Sequence, residues 1–260
     1  MLRRLTHRRR ALTWLAAALA ALAALAAGCS TSSGIKTSDI VDRVPWTAPE
    51  TRRYELRIDN DPAGETTLSI RRDGDTFVLS QLSADDTGNS DGSITTVDAA
   101  TLKPRANEHT VIDKDQKRVA LARYDDVSTD ECASGRIARI EQQVYDPPDE
   151  QTPDSTRGGP LCVPEHAYDN DSSLFIWRTI KFEQGYEVSY TSVISNRREK
   201  RTITLRVNRI EQVQTPAGEF DAWRVDIIAD NVHQTAWFST DDDRHLVAYQ
   251  NQSFYFRLKE

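Results

Sequence analysis

From Tyr54 onward, apolar and polar residues alternate. Tyr54, Leu56 and Ile58 are separated by Glu55 and Arg57, and a period of two marks a strand with one buried face. Asp61-Pro62-Ala63-Gly64 then predicts a turn, with proline fixing φ at its second position and glycine at its fourth. Leu68 and Ile70 resume the alternation, Asp73-Gly74 turns the chain, and Phe77 and Leu79 continue it. Similar short runs predict strands around 93–97, 108–112, 118–124, 136–145 and 186–194. Ile203, Leu205 and Val207 form another, as do Trp223, Val225 and Ile227, and finally Phe254, Phe256 and Leu258.

One segment departs from this period. Within Asp171–Ile180 the residues Leu174, Phe175, Trp177 and Ile180 cover one side of a helix that Asp171 or Ser172 can cap. The predicted fold is therefore mainly β: an antiparallel meander curled into an open or partial β-barrel, with one short α-helix near 171–180. Curling hides the sheet edges that a flat meander would expose.

Two stretches resist both patterns. Residues 29–50 are rich in Ser, Thr and Pro and predict a flexible tether. Residues 146–161 hold so much Pro, Gly and Asp that they predict a disordered loop. A single β-rich domain over 51–260 remains.

The N-terminus has a different character. Five arginines and no acid precede the apolar run from Ala11 to Gly28, an arrangement that predicts an export signal over residues 1–28. An uncleaved anchor helix is the alternative reading of a run this long. Leu25-Ala26-Ala27-Gly28-Cys29 resembles the lipobox of bacterial lipoproteins, although Ala26 stands where that family prefers Leu. The resemblance implies lipidation at Cys29 and attachment to the cell membrane or outer membrane. The domain would then face the periplasm or the cell exterior. Each buried methylene contributes about 0.8 kcal/mol, so two or more acyl chains anchor stably. Arg9-Arg10 leaves open whether general or twin-arginine export is used.

Charge agrees with attachment by lipid. The chain carries 33 basic and 40 acidic residues. Without the signal's five arginines, 28 basic residues face 40 acids, a net charge of −12. Such a body excludes nucleic acid as a partner and does not adhere electrostatically to anionic lipid. With Cys29 lipidated, Cys132 and Cys162 form an even pair in an oxidising setting and predict a disulfide. A metal at Cys162-Val-Pro-Glu-His166 is the weaker alternative, because Cys132 has no close companion ligand.

Thr215-Pro216-Ala217-Gly218-Glu219-Phe220 and Ala236-Trp237-Phe238-Ser239 resemble motifs of a bacterial envelope family classed only as a domain of unknown function. The latter motif is followed by an acidic turn. Leu174–Arg178, Gly185-Tyr186 and Arg224-Val225 strengthen the resemblance, which is best over Asp171–Glu260 and weaker over Tyr54–Pro104. The segment Ala106–Tyr168 departs from it. The resemblance implies an exported β-rich protein shaped as a curved sheet or partial barrel, and brings no enzymatic activity or cofactor with it.

The chemistry-bearing residues are sparse. No nucleophile elbow, phosphate-binding loop or metal-binding helix motif occurs, so no catalytic residue, metal or cofactor is expected. The triplet Asp241-Asp242-Asp243, with Arg244 and His245, reads as a solvated turn between strands, since adjacent side chains point different ways and preform no cage. Trp177, Trp223 and Trp237 are candidates to line a ligand site, with core packing as the alternative. The function expected is a binding module for an envelope lipid, glycan or partner. A structural or assembly protein without a ligand is the second reading, and an envelope hydrolase is an outlier.

Overall fold

The computed structural model describes residues 37–59, 61–252 and 254–260. The export signal and Cys29 lie outside the described residues. The chain divides into two units, Met1–Ile35 and Lys36–Glu260, and the second is described below.

Eight strands come first: β1 Glu50–Ile58, β2 Asp61–Asp73, β3 Thr76–Asp85, β4 Ser90–Asp98, β5 Pro104–Ile112, β6 Lys117–Asp126, β7 Arg136–Tyr145 and β8 Ser155–Cys162. The short β9, Ala167–Asp169, leads into helix α1, Ser173–Ile176, which has a 3-10 turn on each side. Six strands follow: β10 Glu187–Ile194, β11 Glu199–Thr215, β12 Gly218–Ala229, β13 Val232–Ser239, β14 Leu246–Asn251 and β15 Phe254–Leu258. All fifteen belong to one sheet, ordered β8-β7-β6-β5-β4-β3-β2-β1-β15-β14-β13-β12-β11-β10-β9. Every pairing is antiparallel except β9 with β10.

This order makes the curl a geometric necessity. Fifteen strands laid flat would span roughly 65 Å at the usual spacing. Yet the edge strands β8 and β9 are joined by the five steps from Cys162 to Ala167, which reach at most about 18 Å. The sheet must therefore bend back on itself without closing into a barrel, as expected from the alternation. Side chains bridge the remaining gap. Arg198 Nη1 donates to the Gly158 carbonyl at 2.7 Å, and Lys200 Nζ donates to the Cys162 carbonyl at 3.0 Å.

The alternating apolar residues face inward. Tyr54 pairs with Leu258 and Leu56 with Phe256 across β1 and β15, and all four are buried. The α1 segment plugs this interior, with Phe175, Ile176, Trp177 and Ile180 buried. The Asp169 side chain accepts the Asp171 N–H and starts the segment. The cap expected at Asp171 or Ser172 thus lies earlier, and only four residues are α-helical because 3-10 turns take both ends.

Two further expectations need correction. Residues 37–50 do not hang free as a tether. Ile40 and Trp46 are buried in the core, the Asp42 N–H donates to the Thr179 carbonyl at 2.9 Å, and Glu50 opens β1. Apolar residues separated by polar ones in a Pro-rich segment carry no period, so composition alone hid them. Nor is 146–161 unpacked throughout, because its second half forms β8, paired to β7 from Val144↔Ser155 to Ile137↔Cys162. An edge strand needs few apolar residues and tolerates proline and glycine.

Candidate functional site

Inside the curl, between the sheet and α1, lies a cavity of about 310 Å3. One side is apolar, formed by Leu56, Leu174, Trp177, Ile203, Tyr249 and Phe256. Residues from β1, β11, β14 and β15 converge here because their inward rows meet below the helix. The opposite side is polar and centres on His109, Asp91, Asn170 and Asp171.

The polar side is built from strand alternation and the helix start. Asn107 and His109 are consecutive inward positions of β5, and Asp171 follows β9. His109 Nδ1 lies 2.9 Å from Asp171 Oδ2. Asn107 Nδ2 donates to the same carboxylate oxygen at 2.8 Å and to Ser195 Oγ at 3.1 Å. Thr95 Oγ1 donates to Asn107 Oδ1 at 2.8 Å, which fixes that amide's orientation. On the other side of the ring, His109 Nε2 lies 3.3 Å from Asp91 Oδ1 without completing a hydrogen bond. Behind them, the Tyr124 hydroxyl donates to Asp169 Oδ2 at 2.5 Å.

Charge in this cluster is held by its neighbours. Burial disfavours a charged imidazole, but the hydrogen bond and charge of Asp171, with Asp91 beside it, outweigh it and push the His109 pKa up to about 9. Asp169 moves upward too, because it is fully buried and faces the charge on Asp171. An imidazolium that keeps its proton at neutral pH is a hydrogen-bond donor and a fixed charge, and a poor general base. The arrangement is suited to holding a ligand's polar group rather than to moving protons.

The structure does not gather the three candidate tryptophans. Trp177 alone lines the cavity, where its Nε1 donates to the Tyr190 hydroxyl at 2.9 Å and its ring leans on Tyr249. Trp223 packs against Phe182 at the margin of the core. Trp237 alternates with the fully buried Phe238 and so faces the other side of the sheet, where Nε1 donates to Glu211 Oε1 at 2.6 Å. Local periodicity puts Trp177 on the helix and Trp223 on a strand, but which elements bend toward each other is a long-range property.

Cys132 and Cys162 are joined as a disulfide, with Cα atoms 5.7 Å apart, fastening the end of β8 to the loop before β7. The acidic turn draws Asp241, Asp243 and His245 within 4.8 Å of one another. Asp243 Oδ2 accepts from Arg52 at 2.9 Å, and Oδ1 lies 3.0 Å from His245 Nδ1. These partners fix the turn against β1.

Of this cluster the sequence marks only Asp171, and as a helix cap rather than as a site residue. The available signal was a histidine on the inward row of β5, but its partners lie 18 residues before it and 62 after.

No curated protein matches the chain. Among solved structures it is similar to a β-barrel-like protein of the DUF1849 domain of unknown function from Brucella abortus. That match has 10% identity and a TM-score of 0.44, over 85% of this chain and 96% of that one. It is also similar to a protein with a YmcC-like fold, thought to be exported, from Bacteroides fragilis NCTC 9343. There the identity is 10% and the TM-score 0.31, over 86% of this chain and 99% of that one. Residues 53–255 match the family of proteins of unknown function DUF3108. That span runs from within β1 to the start of β15, and the chain belongs to the DUF3108 family.

Proposed function

We propose that the protein is an exported, lipid-anchored binding module that holds the apolar part of an amphiphilic envelope molecule beneath α1. The cavity of about 310 Å3 carries this reading. Its size falls at the lower end of ligand pockets, and it pairs an aromatic and aliphatic wall with a few converging polar groups, the usual composition of a small-molecule site. His109 supports the reading further, since its Nε2 is buried and lacks a hydrogen-bond partner among the described residues. A ligand hydroxyl or carbonyl would satisfy it. Attachment would come from acyl chains on Cys29, consistent with the basic and apolar N-terminus.

The test is fluorescence quenching of the full chain by a bromine-labelled acyl probe. Trp177 lines the cavity, so saturable quenching that disappears in Trp177→Phe is the expected outcome. Quenching that never saturates, or that survives the substitution unchanged, would sink the proposal.

A further inference from the structure

A second cleft, of about 440 Å3, opens on the inner face beyond His109, which lines both spaces. Its floor comes from β5 to β8, and the 3-10 turn Ser195–Arg197 forms one wall. Gln142 and Val144 extend the inward row of Ala138 and Ile140 on β7, and their register partners on β8 are Arg157 and Ser155.

The lining is unusual for so acidic a chain. It includes Arg118, Arg157, Arg197 and His109, and no aspartate or glutamate, although the whole sequence has 40 acids against 33 bases. Arg157 Nε donates to a neutral acceptor, Gln142 Oε1, at 2.9 Å. Among the described residues Arg157 has no carboxylate at ion-pair distance, so its two terminal nitrogens are uncommitted. Arg118 is paired with Asp113 at 3.0 Å, and Arg197 is only loosely paired with Glu199 at 3.9 Å. Each guanidinium carries five N–H groups, so both have donors to spare.

The wall is also held in place. Gly158 and Gly159 leave the β8 backbone bare, and Arg198 approaches it closely enough for Nη1 to donate to the Gly158 carbonyl at 2.7 Å. Arg198 adopts φ 53°, a left-handed conformation costly for a residue with a Cβ. Gln142 Nε2 donates to the Ser195 carbonyl at 3.1 Å from below. These contacts position Asn196 and Arg197 over the cleft before anything binds.

We propose that this cleft is an oxyanion site, in which Arg118, Arg157 and Arg197 receive a phosphate or carboxylate group. The occupant is an anionic amphiphile, its headgroup here and its apolar part beneath α1, an extension that rests on the binding function proposed above. Planar guanidinium groups match such oxygens in bidentate pairs. His109 lies on the boundary of the two spaces with its charge already balanced by Asp171 and Asp91, so the three arginines supply the attraction. Asp113 and Glu199 offset Arg118 and Arg197 only from outside the lining, and Arg157 has no acid partner among the described residues, so an oxyanion in the cleft relieves the repulsion that remains.

The experiment is calorimetric titration of the full chain, in one neutral detergent throughout, with decyl phosphate, decanol and inorganic phosphate. Decyl phosphate should bind roughly ten- to a hundred-fold more tightly than decanol. Arg157→Gln and Arg197→Gln should each remove most of that preference and leave decanol binding unchanged. Arg197 lies on an exposed turn, so its variant reports on the site even if Arg157→Gln disturbs β8. Equal affinity for decyl phosphate and decanol would overturn the oxyanion site while the cavity reading stands. Tight binding of inorganic phosphate without decanol binding would keep the oxyanion site for a free anion and remove the amphiphile. Failure of all three ligands to bind overturns both proposals.

Discussion

Arg178 grips Glu50 with both terminal nitrogens, Nη1 to Oε1 at 2.8 Å and Nη2 to Oε2 at 3.1 Å. The same guanidinium donates to the carbonyls of Asp243 at 2.7 Å and Arg244 at 3.0 Å, and lies over the ring of Trp46. One nearly buried side chain thus fastens the end of the helical segment, the start of β1 and the acidic turn. Arg178→Leu would leave Glu50 and two carbonyls without their donor. We expect a loss of about 3–5 kcal/mol, the cost of breaking a buried pair from one side. Arg178→Lys should lose less, because it keeps the charge but not the fork. Urea unfolding midpoints check both, and a change below about 1 kcal/mol for the leucine variant would contradict this assignment.

Stability should fall as solutions become alkaline. The His109 pKa is raised from 6.5 to about 9, so its contribution is complete below pH 6.5 and is lost as pH rises through about 9. The linkage amounts to something on the order of 3 kcal/mol. Asp169, also raised by burial and then by Asp171, acts in the same direction. The native state holds a proton that the unfolded chain has already released, so its part is lost at lower pH. Thermal melts between pH 6.5 and 9 should show a steady decline in Tm that His109→Gln flattens. A flat wild-type profile would mean that the cluster does not hold this charge.

Removing the Cys132–Cys162 bond should weaken the fold around β8 first. Closing a loop of this length contributes roughly 3–4 kcal/mol in the chain-entropy model. The double variant Cys132→Ser, Cys162→Ser should therefore melt earlier, and the amides of Ser155–Cys162 should exchange fastest. Uniform exchange across all strands would argue against a local role.

Gly158→Ala tests the close approach at the seam. A Cβ there would lie 2.2 Å from the Ile140 carbonyl oxygen, so β8 must shift away from β7, at about 1–3 kcal/mol. The bond from Arg198 should loosen with it, and the preference for decyl phosphate over decanol should drop. Unchanged stability and preference together would show that the backbone yields freely.

Period-two alternation gave the strands of the meander because one face of each is buried, and burial leaves a local trace. Identical turn chemistry was less informative. Thr215-Pro216-Ala217-Gly218 does join two strands, β11 and β12. Asp61-Pro62-Ala63-Gly64 instead lies inside β2, at a register shift where Leu56 faces Gly64 and Arg57 faces Pro62. Gly64 is needed there because any Cβ would fall 2.0 Å from the Ala84 carbonyl oxygen of the neighbouring strand. The same Pro-Ala-Gly serves a bulge in one place and a hairpin in the other, and only the partner strand decides which. The candidate site was hidden for the same reason. His109 meets Asp171 and Asp91 only after the sheet has curled, and Arg157 lies in a stretch whose composition reads as loop.

Tyr54 of β1 faces Leu258 of β15 in the middle of the sheet, a pairing that spans roughly 200 residues of chain. Each arm, β2 to β8 and β9 to β14, can zip up through neighbours in sequence. Neither can join the other until residue 258 has been made. Until then two raw strand edges, β1 and β14, stand open at what will become the centre, an invitation to mispairing with other chains. The growing chain therefore keeps both edges exposed to its neighbours until β15 slots between them.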